Sequence, residues 1–287
     1  MPARQLLISA IVLVSLSRVD RRRAKAITRS LAIGMCRRAL GWLSRPYQLR
    51  LEPCIVFAPH QDDETIGCGG LIARKRNEGL PVHVVFITDG GASHPGHPRL
   101  AQPELRAIRR SEAMAALAIL GVESTAIHFL DEADGTLNNL TPERKHAAQR
   151  RITRLLEEIQ PAELFVPCFP DGSTEHDAVF HLVGGAVAAA GLRPEVWEYP
   201  VWSWWNPMLL LTRLVSAAPM CVQPTEDFAA IKAHALDRYQ SQVRPTPPWI
   251  EPLLPAELVK IFNSDREFFF RFDLPPPHFE SHPVRVI

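Results

Sequence analysis

The sequence predicts an α/β protein with a Rossmann-like, mainly parallel sheet and helices on both faces. Short apolar runs alternate with longer segments of helical periodicity, an order typical of consecutive β-α-β units. Gly and Pro residues punctuate these segments, and no internal repeat or low-complexity linker interrupts them. With 287 residues, 46% of them hydrophobic, the chain can bury the core of one domain with extensions.

Each predicted element is bounded by turn-forming or capping residues. Pro103 opens a helix that Gly121 ends, and Thr141 is placed to cap a helix that begins at Pro142. The predicted strands are apolar or β-branched runs at 54–58, 82–88, 125–130, 163–167 and 196–202. The predicted helices between them cover 67–78, 103–120, 142–159 and 174–190.

We divide the chain into a basic and apolar N-terminal extension (1–50), a domain (51–245) and a Pro-rich C-terminal extension (246–287) that packs on the domain. The apolar run 5–15 is shorter than the roughly 20 residues of a membrane span. The basic stretch that begins at Arg18 does not suit an export signal. We therefore expect a cytoplasmic protein, in which residues 1–45 either contact an anionic membrane surface or pack on the domain.

Composition narrows the classes of partner. A net charge of +1 gives no preference for nucleic acid. The five cysteines are widely spaced and form no CxxC pair, which indicates buried, reduced thiols instead of a zinc ribbon. The sequence leaves the oligomeric state open.

The segment Pro-His-Gln-Asp-Asp-Glu at 59–64 directly follows the first predicted strand. A solvated acidic turn would explain such a cluster in isolation, but ligands of parallel sheets gather where the strands end. His60 and Asp63 can approach one Zn²⁺ ion from the two sides of the turn, and His176, after the fourth strand, is the best third ligand. Asp62 is then free to act as the general base toward an attacking water.

These residues resemble the signature of the PIG-L/LmbE family of zinc-dependent N-acetylglucosaminyl deacetylases. The resemblance covers about residues 53–245, and further matches follow in the order of the family. They are Thr-Ile-Gly-Cys-Gly-Gly at 65–70, Thr88-Asp89-Gly90, Arg109 with Glu112, Asp134-Gly135, the segment around His176, and Tyr239-Gln-Ser-Gln242.

The resemblance implies a Rossmann-like fold, Asp62 as the base, and zinc held by His60, Asp63 and His176. It also implies substrates that carry an N-acetylglucosamine-type group. The arginine of the family falls on Arg109, where it would contact the substrate. A salt bridge to Glu112 on the same helix is the alternative.

The chain departs from the family at one position. The late motif of the family is His-Pro-Asp-His, whereas this chain has Ser173-Thr-Glu-His176 and therefore lacks the first histidine. Ser173 is predicted to cap the helix, with substrate contact as the alternative. In the family, the first histidine helps to stabilise the oxyanion, and His94 or His97 could supply this missing donor. Asp134 could bind sugar hydroxyls. Asp171 could orient a ligand histidine.

The sequence thus predicts a zinc-dependent hydrolase that removes an N-acetyl group from a sugar or glycoconjugate. Two alternatives stay open. The missing histidine would also suit a catalytically weakened relative that binds a sugar or a metal. A zinc hydrolase of another bond is the second alternative, although phosphate chemistry needs several cations or two metals and the site segments offer only Arg109.

Overall fold

One sheet of eight strands organises the part of the chain that the computed structural model describes, which is residues 28–206, 208–210 and 219–272. The strands are β1 (Arg45–Pro46), β2 (Cys54–Ala58), β3 (Val82–Thr88), β4 (Ile127–Glu132), β5 (Glu163–Pro167), β6 (Glu195–Tyr199), β7 (Met220–Pro224) and β8 (Arg266–Phe272). Their order in the sheet is β1-β7-β8-β6-β5-β2-β3-β4. Strand β8 runs antiparallel to its neighbours β6 and β7, while the other pairs are parallel.

Helices cover both faces of this sheet. The helices with bounds inside the described residues are α1 (28–43), α2 (Asp63–Asn77), α3 (Gln102–Ile119), α4 (Pro142–Ile159), α5 (Thr174–Ala190), α6 (Ala229–Leu236), α7 (Gln240–Val243) and α8 (Ala256–Phe262). Residues 208–210 are also helical. Alternate residues of β2 point to opposite faces, so Val56 joins the core beneath α2 and α3 while Phe57 joins the core beneath α4 and α5. The predicted fold class is confirmed.

Helix α2 begins at Asp63, four residues before the predicted start at Gly67. The turn after β2 is therefore shorter than predicted, and Gly67, Gly69 and Gly70 lie within the helix although glycine is a poor helix former. They serve close packing. A Cβ atom on Gly67 would lie 2.1 Å from Tyr199, and one on Gly70 would lie 2.2 Å from Thr225.

Two other predicted boundaries are shifted. The third predicted strand occupies Ile127–Glu132 and not 125–130, because residues Ser124–Ala126 form a 3₁₀ turn. The fifth ends at Tyr199, directly before Pro200, and not at residue 202. The remaining predicted strands have the bounds observed.

The two extensions contribute strands to the same sheet. Strand β8 comes from the Pro-rich C-terminal segment and lies inside the sheet, where Phe268, Phe269 and Phe270 are buried. Strand β1, from the N-terminal segment, pairs with β7 at one edge. The predicted boundaries at 50 and 245 therefore do not divide the sheet, and the C-terminal segment does more than pack on the domain.

Helix α1 packs on the domain through Ile33, Cys36 and Leu40, all of them buried. The predictions for residues 1–27, which include the apolar run and most of the basic stretch, lie outside the described residues. Within the described ranges, no helix is both long and apolar enough to cross a membrane.

Candidate functional site

The candidate site lies where β2, β4 and β5 end. The turn after β2 carries His60, Asp62 and Asp63, and the loop after β4 carries Asp134. The parallel register places the ends of these strands on one edge of the sheet. His176 lies in the first turn of α5, directly beyond the loop that follows β5.

One carboxylate oxygen of Asp63 stands between the two imidazoles. Its Oδ2 atom lies 3.1 Å from Nδ1 of His60 and 3.4 Å from Nε2 of His176. The same oxygen accepts the backbone N–H of His60 over 3.0 Å, which fixes the carboxylate within the turn. Each histidine thus directs one ring nitrogen toward Asp63.

The other ring nitrogen of each histidine also meets carboxylates. Nε2 of His60 lies 2.8 Å from Glu175 Oε2 and 3.4 Å from Asp134 Oδ1. Nδ1 of His176 lies 2.8 Å from Oδ2 of Asp171. A carboxylate on the second nitrogen is the usual way in which a metal-binding histidine is oriented.

Asp171 is itself held by a loop that follows β6. Its two oxygens accept three backbone N–H groups, over 3.2 Å from Val201, 3.0 Å from Trp202 and 2.9 Å from Ser203. The carboxylate is fully buried. The position of His176 therefore depends on a loop some thirty residues downstream, which no local motif indicates.

The donor set fits a zinc ion. Ligand atoms of His60, Asp63 and His176 all lie within 4.8 Å of one another. Nε2 of His176 is buried and has no hydrogen-bond partner among the described residues. A metal would supply that partner, and two imidazoles with one carboxylate are a common catalytic zinc set.

A second group, His60 with Asp134 and Glu175, also meets the same distance limit. It offers one imidazole and two carboxylates, and it would leave Nε2 of His176 unpartnered. The first group is therefore the better candidate metal centre.

Charge supports the same assignment. Five carboxylates gather around the two imidazoles, and they belong to Asp62, Asp63, Asp134, Asp171 and Glu175. Burial alone would lower the pKa of His176, but Asp63 and Asp171 outweigh burial and raise this pKa to about 9. The pKa of His60 is likewise raised well above its usual value, against burial, by Asp134, Asp63 and Glu175. The site favours positive charge, as a cation-binding site should.

Asp62 stands beside the donor set and faces a different partner. Its Oδ1 atom lies 3.4 Å from Nη2 of Arg109. Burial raises the pKa of Asp62 to about 6, and Arg109 opposes this shift. Its backbone has a φ of 147°, a conformation that side-chain-bearing residues rarely adopt. The turn thus directs Asp62 and Asp63 to different partners.

Glu64 holds the strained turn. Its Oε2 atom accepts the backbone N–H of Asp62 over 3.1 Å. Its Oε1 atom accepts the hydroxyls of Thr65 and Tyr239, each over 2.5 Å. Tyr239 lies between α6 and α7, so a distant segment supports the turn.

Arg109 is buried within the site, with 1% of its surface exposed. Its Nε and Nη1 atoms have no hydrogen-bond partner in the described part of the chain. The alternative partner Glu112 instead accepts the N–H and hydroxyl of Ser241, each over 2.7 Å. The salt bridge of Arg109 is with Asp62, and two donor atoms stay available to a ligand.

Ser173 occupies the N-cap position of α5, but its side chain makes no capping hydrogen bond. His94 lies against the C-terminal segment, where its ring stacks on Trp249 with centroids 5.4 Å apart and its Nε2 lies 3.2 Å from Thr246 Oγ1. His97 contacts the carbonyl of the same threonine through Nε2 over 3.2 Å. Both histidines therefore connect the loop after β3 to residues 246–249.

Sequence reasoning did not assign Glu175, Glu64 or the hydroxyl of Tyr239 to the site. Glu175 adjoins His176 in the segment Ser173-Thr-Glu-His176, so its position was the available signal. Glu64 and Tyr239 also lie within the matching motifs, but their contact joins residues 175 positions apart.

A cavity of about 350 Å³ adjoins the turn through Gln61. This volume is near the lower end of the range for small-molecule sites. Its other lining residues are polar or aromatic side chains together with one alanine, namely Asp89, Arg106, Ala107, Arg110, Phe129 and Asp131.

Fold and site together define a Rossmann-like α/β protein with a candidate metal centre at the carboxyl edge of its sheet. Residues 55–187 match the family described as PIG-L, GlcNAc-PI de-N-acetylase. The chain is also 30% identical over 187 residues to a 1D-myo-inositol 2-acetamido-2-deoxy-alpha-D-glucopyranoside deacetylase of Mycobacterium sp. (strain KMS). This alignment covers 58% of this chain and 58% of the relative. The chain is therefore similar to the PIG-L family over residues 55–187, the family that its motifs predicted.

Solved structures share the fold. N,N'-diacetylchitobiose deacetylase from Pyrococcus horikoshii has a TM-score of 0.58 at 22% identity, over 88% of this chain and 94% of that one. The 4-carboxy-2-hydroxymuconate hydratase of Pseudomonas putida KT2440 has a TM-score of 0.59 at 16% identity, over 80% of this chain and 99% of the other. Because a hydratase shares the architecture, the reaction must be argued from the site.

Proposed function

We propose that this protein is a zinc-dependent hydrolase that removes the N-acetyl group from an N-acetylglucosamine-type sugar or glycoconjugate. The single observation that carries the proposal is the placement of Asp63 between the two imidazoles, with Asp62 beside it and turned to Arg109. One carboxylate is available to a metal and its neighbour to a proton, and metal-assisted hydrolysis of an amide uses both.

His60, Asp63 and His176 would hold the zinc ion. When bound, zinc supplies Lewis-acid polarisation of the acetyl carbonyl and makes water more acidic. Asp134 and Glu175 orient His60, and Asp171 orients His176, each through the ring nitrogen that faces away from Asp63. These carboxylates also help to neutralise the charge of the cation.

Asp62 accepts a proton from the water that attacks the acetyl carbon. The amide C–N bond then breaks, acetate forms, and Asp62 returns the proton to the departing amine nitrogen. Arg109 fixes one oxygen of Asp62 through Nη2 and keeps this side chain apart from the metal ligands. The reaction consumes one water and yields acetate and the free amine.

Arg109 also contacts the substrate in this proposal. Its unpartnered Nε and Nη1 atoms can donate to the acetyl oxygen or to a sugar hydroxyl. This would compensate for the histidine that the chain lacks at Ser173. The contact of Asp134 with sugar hydroxyls and the role of His94 in place of the missing histidine stay predictions. Both side chains already have protein partners.

The relatives support the substrate class. The mycobacterial relative and the chitobiose deacetylase are named for substrates that share an N-acetylated glucosamine and differ in the group attached to it. The chain spans 58% of the length of the mycobacterial relative. The group attached to the N-acetylated glucosamine in the substrate of that relative is therefore not assigned to this chain.

Acetate release tests the proposal. The purified chain would be assayed with N-acetylglucosamine, its inositol conjugate and N,N'-diacetylchitobiose, and metal content would be measured on the same sample. We expect about one zinc per chain and acetate from at least one conjugate, both abolished by a chelator and restored by zinc. Bound zinc without acetate release would favour a catalytically weakened protein that binds a sugar or a metal. Release of phosphate from a phosphoester would favour a zinc hydrolase of another bond.

A further inference from the structure

Helix α1 has an apolar face that the domain does not cover. Leu31, Met35 and Trp42 are 63%, 71% and 90% exposed. Their spacing of four and seven residues places them on one side of the helix. Large apolar side chains grouped on a surface usually mark an interaction site.

The same face is basic. Arg38 is exposed between Met35 and Trp42, and Arg45 is exposed just beyond the helix. Among the described residues neither arginine has an acidic partner. Residues 21–51 contain nine Arg or Lys and no Asp or Glu, although the whole chain has a net charge of only +1.

The domain holds this helix firmly. Ile33, Cys36 and Leu40 are buried on its inner side. The guanidinium of Arg29 lies 3.8 Å from the ring centroid of Trp205, and Arg37 lies 3.8 Å from Asp265. The apolar and basic side chains are therefore presented on a fixed surface.

We propose that this surface, the α1 outer face, docks on an anionic lipid bilayer; it consists of Leu31, Met35, Arg38, Trp42 and Arg45. Apolar side chains enter the region between headgroups and acyl chains, and tryptophan is favoured there. Arginines next to them attract anionic headgroups. A bilayer with anionic lipids satisfies both requirements with one partner.

Charge disfavours two other partners for the α1 outer face, which are a second copy of the chain and residues 1–27. A second copy of the chain would bring an equally basic α1 outer face against the first. Residues 1–27 contain six Arg or Lys and a single acid, Asp20, so they too would repel the face. Neither offers the negative charge that Arg38 and Arg45 require.

Vesicle co-sedimentation of the full chain tests the proposal without any substrate. We expect binding to vesicles of phosphatidylcholine with phosphatidylserine, weaker binding to phosphatidylcholine alone, and a decrease with added salt. Met35→Ser with Trp42→Ser should weaken binding on the order of tenfold or more through lost apolar contact. Arg38→Glu should weaken it at least about fivefold.

Matched controls use residues away from the α1 outer face. Ile250→Ser removes an 84% exposed apolar side chain, and Arg193→Glu reverses an exposed charge at the end of α5. Both should bind like the unaltered chain, and thermal unfolding would show that every variant is folded. Equal binding by the α1 variants and the controls would overturn the proposal. So would the absence of vesicle binding, whether or not the chain dimerises through Trp42.

Discussion

The hydroxyl of Tyr239 donates a hydrogen bond to Oε1 of Glu64 over 2.5 Å, and both side chains are fully buried. Oε2 of the same glutamate accepts the backbone N–H of Asp62, the residue with the strained φ. Strain of this kind costs on the order of 1–3 kcal/mol and persists only where neighbouring groups impose it. Tyr239 and Glu64 are such neighbours, so they position Asp62 from outside the donor set.

Tyr239→Phe should therefore lower kcat about tenfold while zinc content stays the same, because the turn loses one support and the ligands are untouched. Steady-state kinetics with metal analysis measures both quantities. Tyr199→Phe is the matched control, since it removes a buried hydroxyl that donates to the carbonyl of Phe57 over 2.7 Å. The control should lose similar stability and keep its kcat. Equal kcat values in the two variants would remove Tyr239 from any positioning role.

Asp62→Asn keeps the size of the side chain but cannot accept the proton. We expect acetate release to fall by about 10²–10⁴-fold with zinc retained. Asp237→Asn makes the same change at an exposed ion pair with Arg244 and should have no effect. If Asp62→Asn stayed active with an unchanged pH profile, another group would be the base.

His176→Ala should lose zinc, because it removes one of three ligands. Asp171→Asn should keep the metal with roughly 10–100-fold lower affinity, since only the orientation of His176 is disturbed. His181→Ala, on the same helix but in contact with Phe169 and Phe180, serves as the control and should bind zinc normally. Competition with a chromogenic chelator measures the affinities, and full retention of zinc in His176→Ala would place the third ligand elsewhere.

Ser173→Ala should change the free energy of unfolding by less than about 0.5 kcal/mol. A serine that caps a helix would be worth about 1 kcal/mol, but this side chain makes no capping bond. Thr141→Ala is the comparison, because the Thr141 hydroxyl accepts the N–H of Arg144 over 3.4 Å and should therefore contribute more. Urea unfolding distinguishes the two. Loss of turnover in folded, zinc-loaded Ser173→Ala would instead make Ser173 a substrate contact.

His83 and His128 form a stacked pair across β3 and β4, with Nδ1 of the first 3.2 Å from Nε2 of the second. Burial lowers the pKa of His83, helped by His128 and Arg76. Burial also lowers the pKa of His128, with Glu158 opposing. Below about pH 6.5 the unfolded chain binds more protons at these positions than the folded chain. Their contribution to stability is therefore complete above that pH and is lost as the pH falls.

His128→Gln should accordingly flatten the decline in unfolding free energy between about pH 7 and pH 5. His146→Gln, at an exposed position on α4, should follow the unaltered chain. Denaturant unfolding at several pH values measures the slopes, and identical slopes in all three proteins would exclude the histidine pair as the cause.

Much of the fold could be predicted because parallel strands are short apolar runs with clear ends. Strands β2, β3 and β5 have the bounds that the sequence indicates. Strand β8 was missed, since its aromatic run follows a Pro-rich stretch and its partners β6 and β7 lie far away in the chain. Only tertiary pairing selects a strand there.

The candidate site was predictable where its residues follow strand ends, as His60, Asp63 and His176 do. Their supports were harder to predict. Asp171 depends on backbone donors near Trp202, and Glu64 on Tyr239, contacts that span 31 and 175 positions. A motif records which side chains a turn carries, whereas such contacts depend on the packing of separate elements.

The insertion of β8 between β6 and β7 determines when the site can be completed during synthesis. Glu267 on this strand accepts the N–H groups of Gly70 and Leu71 over 2.7 and 2.9 Å, and it pairs with Lys232 over 2.7 Å. Two N–H groups of the helix that begins with Asp63 therefore lack this acceptor until Glu267, almost two hundred residues later in the chain, has been synthesised. Until then β6 has an open edge, which is a site for mispairing with other nascent chains. A growing chain of this protein should consequently need chaperone protection until β8 has left the ribosome.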